Sequence, residues 1–182
     1  MAIDSAEISD RLRQLGENDA ALRSWLDSCE LLDGQRALTN LELIDEQLQD
    51  RPLLADILLQ AMASADPDAA LNMLERLFGV VDCATLKTVL NSAELRSYLL
   101  TVLGGSPFLA GILCRHPDYC VKLFQQRQIE DELAEAQMLE QLRQQIAEEA
   151  DFEQLLAGLR RYKAAQILRI GSRDLCGLAP LE

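Results

Sequence analysis

Two thiols and the single histidine of the chain lie within seven positions, at Cys114, His116 and Cys120. Zinc prefers such side chains, and a thiol beside an imidazole can form a nucleophile and its base. Structural zinc sites normally use four ligands in paired hooks, whereas here a fourth ligand is missing and Pro117 separates two predicted helices. Because these residues are so close along the chain, a catalytic cleft between them is disfavoured. We interpret the thiols as buried and the histidine as part of a helix junction, with a small zinc-binding protein as an alternative.

Carboxylate pairs and phosphate-binding loops are the next candidates for chemistry. Two carboxylates at positions i and i+2 of a strand can hold the Mg²⁺ used in phosphate chemistry. The chain has one such pair, Asp66 and Asp68, but the intervening Pro67 favours the start of a helix. The glycine-rich segment 104–107 lacks the lysine of a P-loop and is interpreted as a helix end followed by a helix start. The sequence therefore predicts no catalytic and no metal-binding residue in this chain.

Charged residues lie in line with an apolar stripe near the carboxyl end of the chain. At about 100° per residue, one helix face collects five large apolar side chains: Phe152, Leu156, Leu159, Ile167 and Ile170. Lys163 falls on the same face, and so would Asp174 if the helix continued past Gly171. Such charges are either buried with partners or placed at a domain contact. The alternative is a lysine that snorkels from the end of a packed face.

Composition excludes several classes of protein. The 182 residues are 49% apolar and 26% charged, with a formal net charge of −13. This charge disfavours nucleic acid and anionic membranes as partners, because both would repel the chain. No apolar run approaches the roughly 18 residues needed to span a bilayer, and the first residues lack a signal-peptide pattern. Five scattered cysteines are typical of free thiols in a reducing compartment, so we expect a soluble, cytoplasmic chain.

The charge is unevenly distributed along the chain. Residues 1–50 carry a net charge of −8, residues 51–127 are balanced, and residues 128–150 carry −6. Residues 151–182 carry +1, since five bases gather there: Arg160, Arg161, Lys163, Arg169 and Arg173. A charge run is usually only a solvated helix face, so the distribution alone does not decide the function.

Apolar residues recur every three to four positions along the whole chain, and no segment alternates with period 2. The pattern predicts an all-α fold without a sheet, a multi-helix bundle or short helical array of about ten helices. Further signals predict that a second helix ends at Gly34, that Asn91 and Glu94 form a capping box, and that Gly104 and Gly105 end a helix in a left-handed conformation. Two long helices are predicted over residues 129–149 and 151–170.

Three parts of the chain are predicted from these patterns. Residues 1–50 form an acidic helical extension, and residues 51–150 form the helical array. Residues 151–182 form an entry helix, and the resemblance described next implies that it leads into a domain absent from this chain.

Three segments of the sequence resemble glutamate–ammonia-ligase adenylyltransferases. The first runs from Phe152 through Leu-Arg-Arg-Tyr-Lys at 159–163 and Leu-Arg-Ile at 168–170 to Arg-Asp-Leu at 173–175. Stretches 66–77 and 103–117 are also similar, through Asp-Pro-Asp and Leu-Gly-Gly-Ser-Pro-Phe-Leu. The three segments occur in the order and at the spacing of this family and cover about residues 66–176. Residues 1–50 show nothing that can be placed.

The resemblance implies an enzyme with two nucleotidyltransferase halves. One half transfers AMP from ATP to a tyrosine of glutamine synthetase, the other removes it by phosphorolysis, and both need Mg²⁺. Glutamine and the P-II signal protein set which half is active. The family's catalytic strand, a Gly-Gly loop followed by Ser-x-x-Asp-x-Asp, does not occur here, and the final Leu181 and Glu182 look like a cloning remnant. The chain is therefore expected to be an inactive amino-terminal fragment that binds neither Mg²⁺ nor ATP by itself.

The function expected from the resemblance is to scaffold the catalytic domain, before the deadenylylating half, and to dock glutamine synthetase or P-II. The residues expected to face that domain or its phosphate groups are Lys163, Arg169, Arg173 and Asp174. The alternative is a free-standing acidic α-helical adaptor for protein interactions. For that adaptor, the acidic blocks would serve as solubilising faces.

Overall fold

A computed structural model describes residues 5–29, 31–146 and 151–179. Within these ranges the chain forms eleven α-helices and one π-helical turn, with no strand, which confirms the all-α prediction. The helices are α1 (Ser5–Leu12), α2 (Asp19–Asp27), α3 (Gly34–Leu48), α4 (Arg51–Met62), α5 (Pro67–Phe78), α6 (Cys83–Asn91), α7 (Ala93–Gly105), α8 (Pro107–Arg115), α9 (Asp118–Cys120), α10 (Glu135–Ile146) and α11 (Phe152–Leu175). The π-helical turn, Val121–Gln125, continues α9 directly.

One apolar cluster runs from Ile8 in α1 to Leu168 in α11. Helix α5 packs against α3 and α7, while α1 packs against α4 and thereby joins residues near the amino end to the same core. The division into 1–50, 51–150 and 151–182 stays a prediction. Among the described residues no single helix is long and apolar enough to cross a membrane; only the bent pair α7–α8, with 113° between its helices, meets both criteria when taken together.

Short polar side chains at the helix starts explain why the elements begin where they do. Each accepts a hydrogen bond from the backbone amide three residues later, which satisfies an otherwise unpaired donor. These N-caps are Asn18, Asp33, Asp50, Asp66, Asp82, Ser92, Ser106 and Asp151. The predicted start at Asp66 and Pro67 is confirmed.

The prediction that the second helix ends at Gly34 is wrong. Helix α2 ends at Asp27, and Gly34 is the first residue of α3, capped by Asp33. A Cβ at Gly34 would lie 2.2 Å from Oδ1 of Asp27, so the glycine is needed for close approach. Leu32 is exposed because it lies in the connection between α2 and α3.

The capping box predicted at Asn91 is also wrong. Asn91 is the last residue of α6, and Ser92 caps α7 instead. Glu94 pairs with Arg127 and accepts from Tyr98 rather than reaching back to the cap. Helix α6 itself was not predicted, because the helix end at Gly79 and the expected cap at Asn91 left too little chain between them.

Gly104 and Gly105 do not end α7 in a left-handed conformation. Both belong to the helix, and the described glycines with positive φ are Gly16 and Gly177. A Cβ at Gly104 would lie 2.4 Å from Oγ of Ser64 and 2.9 Å from the backbone oxygen of Asp66. The glycine therefore allows α7 to approach the segment that precedes α5.

Gly104→Ala is expected to lower the free energy of unfolding by about 1–3 kcal/mol, because the added methyl group overpacks this contact. Gly111→Ala is the matched control, since the nearest atoms there belong to the flexible Arg115 side chain at 3.5 Å or more. That control should gain up to about 1 kcal/mol from the better helix propensity of alanine. Urea denaturation followed by circular dichroism measures both changes. Equal effects of the two substitutions would contradict the packing explanation.

Candidate functional site

Helix α11 carries the residues that the sequence singled out. Its N-cap is Asp151, and it continues past Gly171 to Leu175, so it is longer than predicted. At 1.5 Å per residue its 24 residues span about 36 Å. A Cβ at Gly171 would lie 3.0 Å from Cδ1 of Leu109, which shows how closely α11 lies on α8.

Two arginines fasten the surrounding backbone to the buried face of α11. Arg169 donates to the carbonyl oxygen of Asp131 (2.8 Å). Arg173 donates to the carbonyl oxygens of Ile129 and Leu178, both at 3.1 Å. Charged donors make stronger hydrogen bonds to carbonyl groups than neutral donors do. The pair therefore holds both the segment before α10 and the turn after α11 in fixed positions relative to the helix.

The burial of these guanidinium groups limits what else they can contact. Arg169 is 7% exposed and Arg173 is 8% exposed. Burial, and then the neighbouring charge of Arg173, lowers the pKa of Arg169. The sequence prediction that both face another domain or phosphate groups stays a prediction. Within the described residues their donors are used on backbone carbonyls, which makes them positioning residues for the end of α11.

Lys163, Asp174 and the apolar stripe lie to one side of the buried face of α11, with Lys163 about 80° from Arg173 around the helix. Both charged residues are exposed. Phe152 is 71% exposed, Leu159 36% and Ile170 52%.

Leu156 and Ile167 of the same stripe are partly buried, and Ile167 packs against the core. The alternative of a lysine that snorkels from the end of a packed face therefore also stays a prediction. A domain contact remains the other prediction for this face.

Helix α10 is loosely attached beside α11. The predicted helix over 129–149 is shorter in the structure: residues 126–134 are not α-helical, α10 is Glu135–Ile146, and 147–149 lie outside the described residues. No residue of α10 is buried. The hydroxyl group of Tyr162 on α11 donates to the carbonyl oxygen of Met138, which ties the two helices together. Apolar residues of α10 therefore remain accessible, as Leu139 shows.

A small polar cleft lies between α10, α11 and the segment after α9. Polar side chains that line it include Lys122, Gln141, Gln166 and Arg169. Lys122 pairs with Asp118, and Gln166 accepts from Arg169 and donates to Gln141. These groups already have partners, so the cleft offers a ligand little that is unpaired.

The cysteine and histidine residues that suggested zinc do not form a metal site among the described residues. No group of three His, Cys, Asp or Glu side chains there could hold a metal ion. His116 stacks on Tyr119 with ring centroids 5.0 Å apart. Cys120 is fully buried, and burial raises its pKa to about 12. A thiol so resistant to ionisation is a poor nucleophile and a poor ligand.

Between pH 9 and 11 the protein is expected to lose stability more steeply than a Cys120→Ala variant, by about 1.4 kcal/mol per pH unit. The unfolded thiol ionises near its ordinary pKa of 9.0, whereas the folded thiol keeps its proton to about 12. Proton loss then favours the unfolded state as the pH rises. Urea denaturation at several pH values measures the two slopes. The cavity left by the substitution lowers stability equally at each pH, so parallel slopes would contradict the assignment.

The two carboxylates of the single Asp-x-Asp pair accept hydrogen bonds from backbone amides, one at a helix start and the other in a connection between helices. Asp66 accepts from the amide of Ala69 at 2.9 Å, which confirms its interpretation as a cap. Asp68 accepts from the amides of Leu32 (2.9 Å) and Asp33 (3.3 Å), and so joins α5 to the connection before α3. The residues present therefore do not fit the Mg²⁺ of nucleotidyl transfer.

Comparison with known proteins shows which sequences this chain is similar to. The model of the family described as glutamate-ammonia ligase adenylyltransferase matches residues 96–182, from α7 onward. Several relatives carry the name bifunctional glutamine synthetase adenylyltransferase/adenylyl-removing enzyme. The relative from Streptomyces avermitilis is 36% identical over 149 residues, which cover 77% of this chain and 14% of the relative. The one from Shewanella loihica is 40% identical over 84 residues, 46% of this chain and 9% of the relative.

The third relative, from Thioalkalivibrio sulfidiphilus, is 29% identical over 133 residues, which cover 70% of this chain and 14% of the relative. The matched parts thus span about a seventh or less of the length of these relatives. No solved structure matches the chain. Residues 96–182 of the chain are thus similar to the glutamate-ammonia ligase adenylyltransferase family.

Proposed function

We propose that this chain acts as the helical, non-catalytic region of a longer enzyme that adenylylates and deadenylylates glutamine synthetase, and so controls nitrogen assimilation. The observation that carries the proposal is the family match over residues 96–182, all of which, where described, fold without a strand. The relatives are many times longer than the matched parts, which leaves room in them for catalytic domains.

The role proposed for the helices is to position a catalytic domain and to help dock partners. Arg173 supports the positioning role because it fixes the turn that follows α11, and Arg169 fixes the segment before α10. Glutamine synthetase is the proposed substrate and first partner, in keeping with the names of the relatives. The P-II signal protein is the second proposed partner, and the cytoplasm is the proposed compartment.

ATP and Mg²⁺ belong to the proposed activity of the longer enzyme. Mg²⁺ would neutralise charge on the nucleotide phosphates during transfer. The described residues of this chain contribute neither a metal-binding group nor a phosphate loop to that chemistry. Their proposed contribution is to orient the domain that holds both.

The test is an activity assay on the product of the complete gene. Transfer of labelled AMP from ATP to glutamine synthetase, and its release by inorganic phosphate, are expected for that product. The 182-residue chain alone should show neither reaction. A complete gene product that ends near residue 182, or one that lacks both reactions, would overturn the proposal in favour of the acidic adaptor.

A further inference from the structure

The apolar stripe of α11 is unusually exposed for its length. Phe152, Leu159 and Ile170 lie within about 20° of one another around the helix. They span 18 residue steps, or about 27 Å. Exposed apolar side chains aligned on one helix face are typical of an interaction site, whereas isolated exposed apolar residues need no explanation.

The described part of the chain leaves Phe152, Leu159 and Ile170 exposed, whereas Leu156 and Ile167 of the same stripe are partly buried. The buried positions of α11 occupy the rest of the helix circumference, and Arg173 comes within about 60° of Ile170. These positions are Gly158, Leu168, Arg169, Ser172 and Arg173. Helix α10 contacts α11 through Tyr162 and Gln166, which flank the stripe on one side only. The stripe therefore faces outward along most of the helix.

Two cations lie at the middle of the stripe. Arg160 borders it and Lys163 lies within it, and both are exposed. Neither forms an ion pair with any acidic residue that the structure describes. A surface that covers the stripe must provide acceptors or acidic groups for these cations, because buried unpaired charges are strongly unfavourable. The occupant is thus apolar at its ends and acidic at its centre.

A second copy of this chain does not meet that requirement. In a two-fold antiparallel packing of the stripes, Phe152 would lie opposite the partner's Ile170, and the centre near residue 161 would face itself. Arg160 and Lys163 would then face the same cations of the other copy, and like charges in contact repel. An anionic membrane is disfavoured by the net charge of −13.

We propose that the α11 stripe is an intramolecular docking surface, covered by an apolar, acid-centred face of another part of the longer polypeptide. This inference rests on the proposed function, since it takes the longer polypeptide from there. It adds the surface and the chemistry of its occupant. Docking there would hold the next domain along the axis of α11, while Arg173 fixes the turn that follows the helix.

Hydroxyl-radical footprinting with mass spectrometry tests the proposal. Oxidation of Phe152, Leu159 and Ile170 is expected to be about fivefold lower in the product of the complete gene than in the 182-residue chain, as for side chains that enter an interface core. Val80 is an exposed apolar residue in the connection between α5 and α6, and it serves as an internal reference. Equal oxidation of the stripe in the two proteins would overturn the proposal.

A charge-reversal pair tests the chemistry of the occupant. In the complete gene product, Lys163→Glu is expected to restore most of the oxidation of Phe152 and Leu159. The matched control Lys122→Glu alters another exposed lysine and should leave the protection intact. Protection that survives Lys163→Glu would overturn the acid-centred occupant.

Three further outcomes separate the alternatives. Protection in the 182-residue chain that grows with its concentration would indicate self-association and overturn the proposal. If phosphatidylglycerol vesicles protect the stripe of the 182-residue chain from oxidation, the proposal is overturned in favour of a membrane as the occupant. The adenylylation assay on the same sample separates the two proposals: an active enzyme with an unprotected stripe refutes only the docking, and a protected stripe without activity refutes only the function.

Discussion

Replacing Arg173 with methionine is expected to lower the free energy of unfolding by about 2–4 kcal/mol. The side chain is buried, and its guanidinium group donates to the carbonyl oxygens of Ile129 and Leu178. Methionine keeps much of the volume but leaves both carbonyl oxygens without this donor. Hydrogen bonds from charged donors typically contribute about 1.5–3 kcal/mol each, and two on one side chain are not additive.

Urea denaturation followed by circular dichroism measures the change. Arg160→Met is the matched control, because Arg160 is an exposed arginine on the same helix, and its replacement should change stability by less than about 0.5 kcal/mol. Hydrogen exchange should also become faster at the amides of residues 126–134 in Arg173→Met. Equal stability of the two variants would show that Arg173 does not fasten this segment.

Replacing Arg96 with methionine is expected to have a similar effect, a loss of about 2–4 kcal/mol. Arg96 is buried at the start of α7 and donates to Asp56 (3.0 Å), Gln60 (3.2 Å) and the carbonyl oxygen of Leu90 (2.6 Å). One side chain thus joins α4, the end of α6 and α7. Its loss leaves the last carbonyl groups of α6 without a donor.

Asp56→Asn provides a graded comparison for this prediction. The amide still offers an oxygen to Arg96, and Asp56 is partly exposed, so the loss should be no more than about 1 kcal/mol. The same denaturation measurement applies. If Asp56→Asn is as destabilising as Arg96→Met, the ion pair rather than the carbonyl contact is the main contribution.

Much of the fold could be predicted because local signals determine it. The apolar spacing of three to four residues has no competing strand pattern, and caps such as Asp66 act within one helical turn. The errors arose where two signals compete over a few residues. A glycine after a periodic apolar run predicts a helix end, but Gly34 lies against Asp27 instead, and this contact depends on tertiary structure. Asn91 and Ser92 are both good caps, and only packing selects Ser92.

The orientation of α11 could not be predicted from periodicity. An apolar stripe indicates that a helix face is buried, but it does not say whether the covering surface belongs to the same unit. In the structure the stripe is exposed, while Arg169 and Arg173 occupy the buried face. Arginine usually indicates an exposed position, and its burial here depends on carbonyl groups some 38 to 44 residues away along the chain.

The positioning role of these helices is tested most directly by complementation. A catalytic polypeptide that begins near residue 180 of the complete gene product would be assayed for deadenylylation of glutamine synthetase, with and without the 182-residue chain. The account predicts a higher rate when the chain is added, and no increase when Lys163→Glu replaces it, whereas Lys122→Glu should act like the unmodified chain. An unchanged rate with the unmodified chain, at concentrations where both polypeptides are folded, would contradict it.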